Sequence, residues 1–185
     1  MLINFKIRFM DAILKKNAIN YGLISGLIGV LATVTMYSID LKLFVNMWIG
    51  FSLLAVWIII GVLLLSKCKK EKAGNLTFKE GFTAYFLSAL IGILISTAFN
   101  IFLLNIFDTE ARDQITEHLV KFQVEMLEKF GGTAEQITQA EEEIRTKAQF
   151  SVKGQLFGIV QSLIGSIILG LILAAIFKSK TREDF

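Results

Sequence analysis

Four stretches of the chain, residues 19–39, 47–65, 82–107 and 156–177, are apolar almost without interruption. At about 1.5 Å of rise per residue, each is long enough as a helix to cross a hydrocarbon core of about 30 Å. No Asp, Glu, Lys, Arg or His falls inside any of them. Thr77 and Glu80 form a Thr-x-x-Glu capping box that opens the third. Between the third and fourth the pattern changes. Residues 108–153 are polar, and Ile115, Leu119, Phe122, Met126 and Phe130 recur at helical spacing before Gly131-Gly132 breaks the run. Thr133 and Gln136 can then cap a second amphipathic helix with Ile137, Ala140, Ile144 and Ala148 on one side. Two such stripes predict an antiparallel hairpin whose apolar sides face each other. Residues 1–16 place Leu2, Phe5, Phe9 and Ile13 opposite Asn4, Arg8, Asp11 and Lys15. They read as a basic amphipathic leader lying in the membrane interface, without a signal-peptide cleavage pattern. The expected fold is an all-α integral membrane protein, one domain of four transmembrane helices with a helical hairpin outside the membrane between helices three and four.

The small residues inside the spans are spaced for helix packing. Gly22, Gly26 and Gly29 lie in the first span, Ser88, Gly92 and Ser96 in the third, and Gly158, Ser162, Ser166 and Gly170 in the fourth. Lipid supplies no hydrophobic drive between helices, so close backbone approach and dispersion must do it, and small side chains permit that approach. The ladder of the fourth span runs from Gly154 to Ala174 in steps of four, which overshoot the helical turn and wind it about 200° around the axis. Its two halves are therefore expected to serve different neighbours, spans three and one, making the fourth helix the central packing element. The second span has few small residues and is expected to face lipid most.

Composition agrees with a membrane protein: 54% of the 185 residues are hydrophobic and none is proline, with a mean hydropathy of +0.62. The formal charge of +3 does not indicate nucleic acid, because the basic residues flank the spans instead of forming a separate basic domain. Lys6, Arg8, Lys15 and Lys16 precede span one, five lysines lie in residues 66–81, and Lys178, Lys180 and Arg182 follow span four. Only Lys42 lies between spans one and two. By the positive-inside rule both termini are expected in the cytoplasm and the hairpin on the far side.

Candidate chemistry is sparse. Proton relays, coupled transport and intramembrane catalysis usually leave ionisable residues inside the spans, and there are none. Asn100, Asn105 and Gln161, with Ser96 and Ser166, could line a polar path, but inter-helix hydrogen bonding is the commoner use of such residues. His118 has acidic neighbours on its own helix and no second element of strong ligands, so no metal site is assigned. Cys68, the one cysteine, sits in a lysine-rich turn and reads as an unremarkable juxtamembrane thiol. No catalytic residue, cofactor or phosphate-binding glycine loop is expected, and an enzyme is the least favoured class.

Lys16-Asn17-Ala18-Ile19-Asn20-Tyr21-Gly22-Leu23-Ile24-Ser25-Gly26, Thr77-Phe78-Lys79-Glu80-Gly81-Phe82 and Ser96-Thr97-Ala98-Phe99-Asn100 occur in this order before an acidic hairpin and a glycine-rich last span. The arrangement resembles the bacterial membrane proteins, largely of the Bacteroidota, catalogued as domain of unknown function 4199. The resemblance implies a four-span inner-membrane protein of uncharacterised role and carries over no catalytic residue; with both termini in the cytoplasm, the hairpin is expected in the periplasm. The leading expectation is a non-enzymatic scaffold or accessory subunit, partnered by the bilayer and by a second copy or another membrane protein. A small oligomeric transporter or channel is the alternative, as is an envelope sensor binding a ligand or peptide at the hairpin. Solute flux into reconstituted vesicles would mark the former, and protection of the hairpin from proteolysis by envelope extract the latter.

Overall fold

A computed structural model describes residues 11–179. Among them are six α-helices: α1 Ala12–Ile39, α2 Met47–Glu71, α3 Phe78–Phe102, α4 Thr109–Lys129, α5 Ala134–Lys147 and α6 Val152–Phe177. A 3₁₀ turn, Leu41–Val45, links α1 to α2, and a π-helical turn, Leu103–Phe107, extends α3 towards α4. Helices α1, α2, α6 and the continuous segment Phe78–Phe107 are long and apolar enough to cross a membrane. The protein is an all-helical multi-pass membrane protein.

Each helix begins where a side chain can satisfy its free N–H groups. Asp11, Asn46, Thr77, Asp108, Thr133 and Ser151 accept bonds from the first turns of α1 to α6 in that order. The boxes expected at Thr77–Glu80 and Thr133–Gln136 are both formed. Helix α1 starts at Ala12, so Lys15 and Lys16, read with the leader, belong to its first turns. Residues 1–10 of the leader lie outside the described residues. Helix α2 continues past its apolar stretch to Glu71 because the lysines there are good helix formers.

Helix α3 is the hub. It packs most extensively along α1, next along α6, and also touches α2. Gly22 lies against Ser88 and Gly29 against Ser96, and Thr33 bonds Asn100, so α1 and α3 run parallel. Gly81 faces Ala174 and Tyr85 faces Gly170, so α6 runs antiparallel to α3. The central role expected for the fourth span thus belongs to the third. The neighbours of α6 are α3 and α2, not α3 and α1, since α1 already occupies its own side of α3.

Both ends of the bundle are closed by buried apolar clusters. At one end Leu14, Ala18, Leu64, Cys68, Leu76 and Ala84 pack together, with Tyr21, Leu87 and Phe177 against them. At the other, Leu103, Leu104, Ala111 and Ile115 bury against Leu41, Phe44 and Val45 of the 3₁₀ turn, together with Tyr37, Phe99 and Phe150. The second cluster fastens the root of α4 to the spans. Helix α5 packs on α4 as the apolar stripes required, but Ile137, Ala140 and Ile144 stay half-buried and no α5 residue is fully covered.

Candidate functional site

Among the described residues the α1–α3 seam is the most extensive helix–helix contact. A Cβ on Gly22 would lie 2.8 Å from both the Ser88 carbonyl oxygen and Ile91 Cβ. On Gly26 it would meet Ile95 Cβ at 2.8 Å, and on Gly92 it would meet Ser25 Oγ at 2.8 Å. Gly29 faces the Ser96 hydroxyl, which also donates to the Gly26 carbonyl at 3.4 Å. Gly22, Gly26, Gly29, Ser88, Gly92 and Ser96 therefore come together on one surface, where any larger side chain forces the helices apart. Further along, Asn100 Nδ2 donates to Thr33 Oγ1 at 3.2 Å and to the Ser96 carbonyl at 2.9 Å. Thr33, Ser25 and Ser88 are buried, so the polar atoms of this seam lie between the helices.

Helix α6 divides into two regimes. Near its C-terminal end Tyr85 inserts between Gly170 and Gly61: a Cβ on either glycine would come within 2.7 Å of the ring. Leu65, Tyr85 and Leu173 form the buried cluster there. This places Gly170 in a three-helix contact. Towards the N-terminal end, Gln155, Ile159, Leu163 and Ser166 are half-buried, and Ser166 Oγ donates to the Leu163 carbonyl at 3.0 Å. Gly158, Gln161, Ser162 and Gly165 fall within about 100° of one another on a neighbouring face. No atom lies within 4 Å of where a Cβ would stand on Gly158 or Gly165. Gln161 and Ser162 are exposed. Gly154, the first rung of the ladder, serves the corner instead, since a Cβ there would lie 2.6 Å from the Gln149 carbonyl oxygen.

The residues proposed for a polar path are not brought together within the chain. Asn100 lies in the α1–α3 seam, Asn105 Nδ2 donates to the Phe150 carbonyl at 3.1 Å, and Gln161 is on the outward side of α6. Asn105 instead ties the π-turn to the corner before α6. Asp108 completes this junction. Its Oδ1 accepts from Ala111 N at 2.9 Å and its Oδ2 from the Tyr37 hydroxyl at 2.7 Å. The Ala111 N–H, followed by the Tyr37 hydroxyl, holds the Asp108 carboxyl below its ordinary pKa. On the α4–α5 pair Arg145 bonds Glu117, lowering the pKa of the carboxyl and raising that of the guanidinium. Among the described residues, no three of His, Cys, Asp and Glu gather in a group that could hold a metal ion.

The family model described as Protein of unknown function (DUF4199) matches residues 20–179, most of the chain. The chain belongs to this family. The matched stretch takes in the α1–α3 seam, the α4–α5 pair and both regimes of α6. No curated protein and no solved structure gives a significant match.

The DUF4199 match ends at Ser179, a residue whose role the apolar pattern could not show. Ser179 N donates to the Leu76 carbonyl at 2.8 Å, and Leu76 N donates to Ser179 Oγ at 2.7 Å. The same hydroxyl reaches the Gly74 carbonyl. The end of α6 is thereby clasped to the α2–α3 turn. The start of α1 is tied in as well, because Asn17 Nδ2 donates to Glu71 Oε2 at 2.5 Å and Lys72 pairs with both Glu80 and Asp11. Glu80 is the main cause of a raised Lys72 pKa. Cys68, read as a juxtamembrane thiol, is fully buried in the apolar cluster of this end. The 3₁₀ turn was also missed as a docking element, although Leu41, Phe44 and Val45 already gave that loop an apolar side.

Proposed function

We propose that this DUF4199 protein is a non-enzymatic scaffold or accessory subunit of the bacterial inner membrane, docking to a membrane partner through the outward face of α6. The observation that carries this reading is the set Gly158, Gln161, Ser162 and Gly165. The glycines at the α1–α3 and Tyr85 contacts are covered by neighbouring helices, whereas Gly158 and Gly165 have nothing within 4 Å of a Cβ. Beside them stands an exposed carboxamide in an apolar helix. An amide facing hydrocarbon without a hydrogen-bond partner costs about 2 kcal/mol or more, and a polar residue beside small ones is the usual composition of an intramembrane helix interface.

In this reading both termini face the cytoplasm, since the lysines flank that end of the spans, and α4–α5 stands in the periplasm. The α4–α5 pair is then an extramembrane arm, rooted by Asp108 and the 3₁₀ turn. The test is photo-crosslinking in native membranes from position 162, with position 160 on the opposite exposed face as control, followed by affinity purification. A discrete adduct from 162 and none from 160, whether to a second copy or to another membrane protein, supports the proposal. Monomer alone from both positions overturns it.

A further inference from the structure

The end of the bundle where α1 and α3 begin and α2 and α6 finish carries an uneven charge balance. Among the described residues its acidic side chains, Asp11, Glu71 and Glu80, are engaged within the protein. Lys72 Nζ lies 2.7 Å from Glu80 Oε1 and 3.5 Å from Asp11 Oδ2, and Glu71 accepts the Asn17 amide. One lysine thus answers two carboxylates. Of the other described basic side chains at this end, Lys69 on α2 is half-buried, while Lys15 and Lys16 on α1, Lys67 and Lys70 on α2, Lys79 on α3 and Lys178 at the end of α6 are exposed. Among the described residues none of these six has a carboxylate oxygen within 4.0 Å. They come from all four spans and so surround the bundle where its apolar surface stops. Lys67 is set at the α1–α2 boundary by the Tyr21 ring, with Nζ 5.8 Å from the ring centre. On α1, Lys15 and Lys16 share one open helix face with Ala12, Ile19 and Asn20. Ammonium groups beside apolar side chains match an amphiphile with an anionic head.

We propose that this lysine collar binds anionic phospholipids, with phosphate headgroups on the ammonium groups and acyl chains along the adjoining faces of α1 and α2. Anionic lipid attracts each lysine near the membrane surface, and the attraction accumulates over several lysines. The α4–α5 pair makes the contrast. Ten acidic residues stand against five basic ones between Asp108 and Ala148, and Arg112, Arg145 and Lys147 are all paired with carboxylates.

The test is thermal unfolding of the full chain in neutral-detergent micelles titrated with phosphatidylglycerol, with phosphatidylcholine and inorganic phosphate as parallel arms. Phosphatidylglycerol should raise Tm saturably, and the other two should not. Combining Lys15→Gln, Lys16→Gln, Lys67→Gln and Lys70→Gln should raise the half-saturating lipid concentration about tenfold or more. The four corresponding Lys→Arg changes should preserve the response, which separates lost charge from damaged folding. Lys121→Gln with Lys129→Gln on α4 should leave it intact. An equal response to phosphatidylcholine would overturn the proposal, and so would an undiminished response of the fourfold Gln variant or a loss in the Arg variant. A shift produced by phosphate alone would assign the collar to free anions and overturn the lipid assignment.

Discussion

Along the α1–α3 seam, Gly22, Gly26, Gly29 and Gly92 each face a side chain or backbone of the other helix so closely that a methyl group would collide. On the outward face of α6, Gly158 and Gly165 face nothing within 4 Å. The sequence spacing of the two sets is alike, so spacing marks where a helix can approach but not which approach the chain itself makes. Topology decides that. Helices α1 and α6 both pack along α3, and Tyr85 fixes the C-terminal part of α6 between α3 and α2. The flank of α6 bearing Gly158 and Gly165 is turned away from all three.

Truncating the side chain that joins three helices should have the largest effect. Tyr85→Ala removes the ring held between Gly61 and Gly170 and should cost about 3 kcal/mol or more in a detergent unfolding titration. A loss below 1 kcal/mol would mean that α6 is held elsewhere. Thr33→Val takes one acceptor from Asn100 but leaves its bond to the Ser96 carbonyl, so a loss of about 1 kcal/mol is expected in the same titration.

Effects at the α4 junction should be more local. Asp108→Ala deletes both the N-cap and the Tyr37 contact, and hydrogen exchange should accelerate in the first turn of α4 while the α1–α3 amides stay protected. Acid should act in the same direction. The Asp108 pKa is lower in the folded state, so its stabilisation is present above the ordinary carboxylate pKa and is lost as pH falls through the folded value. The protection factor of that turn, the exchange rate referred to the intrinsic rate at each pH, should fall only as pH drops below the ordinary carboxylate range. Arg145→Gln should change least, because both partners are half-exposed and screened by solvent; the melting temperature should barely move.

Much of the fold was legible because hydropathy and helical period act locally. The spans, the Thr77 and Thr133 boxes and the Gly131-Gly132 break each follow from a few adjacent residues. The roles of Ser179, Asn17 and Lys72 were not legible, since each depends on a partner distant in the chain that only the assembled end brings within reach. The same holds for the rank of α3 over α6. Both helices carry small-residue ladders, and only the parallel placement of α1 shows which ladder is covered on two sides. At the candidate site, sequence picked out Gly158, Gln161 and Ser162, but grouped the glycine and serine in a four-step ladder. Their common face with Gly165 combines steps of three and four and emerged only with the packing.

The most direct test makes the same substitution twice on α6. Gly170→Leu and Gly158→Leu should be compared by unfolding of the monomer in one detergent. Gly170→Leu, forced against Tyr85, should destabilise the monomer by about 2 kcal/mol or more, while Gly158→Leu should leave it unchanged. Equal destabilisation by the two would place a neighbouring helix against Gly158 and contradict the account.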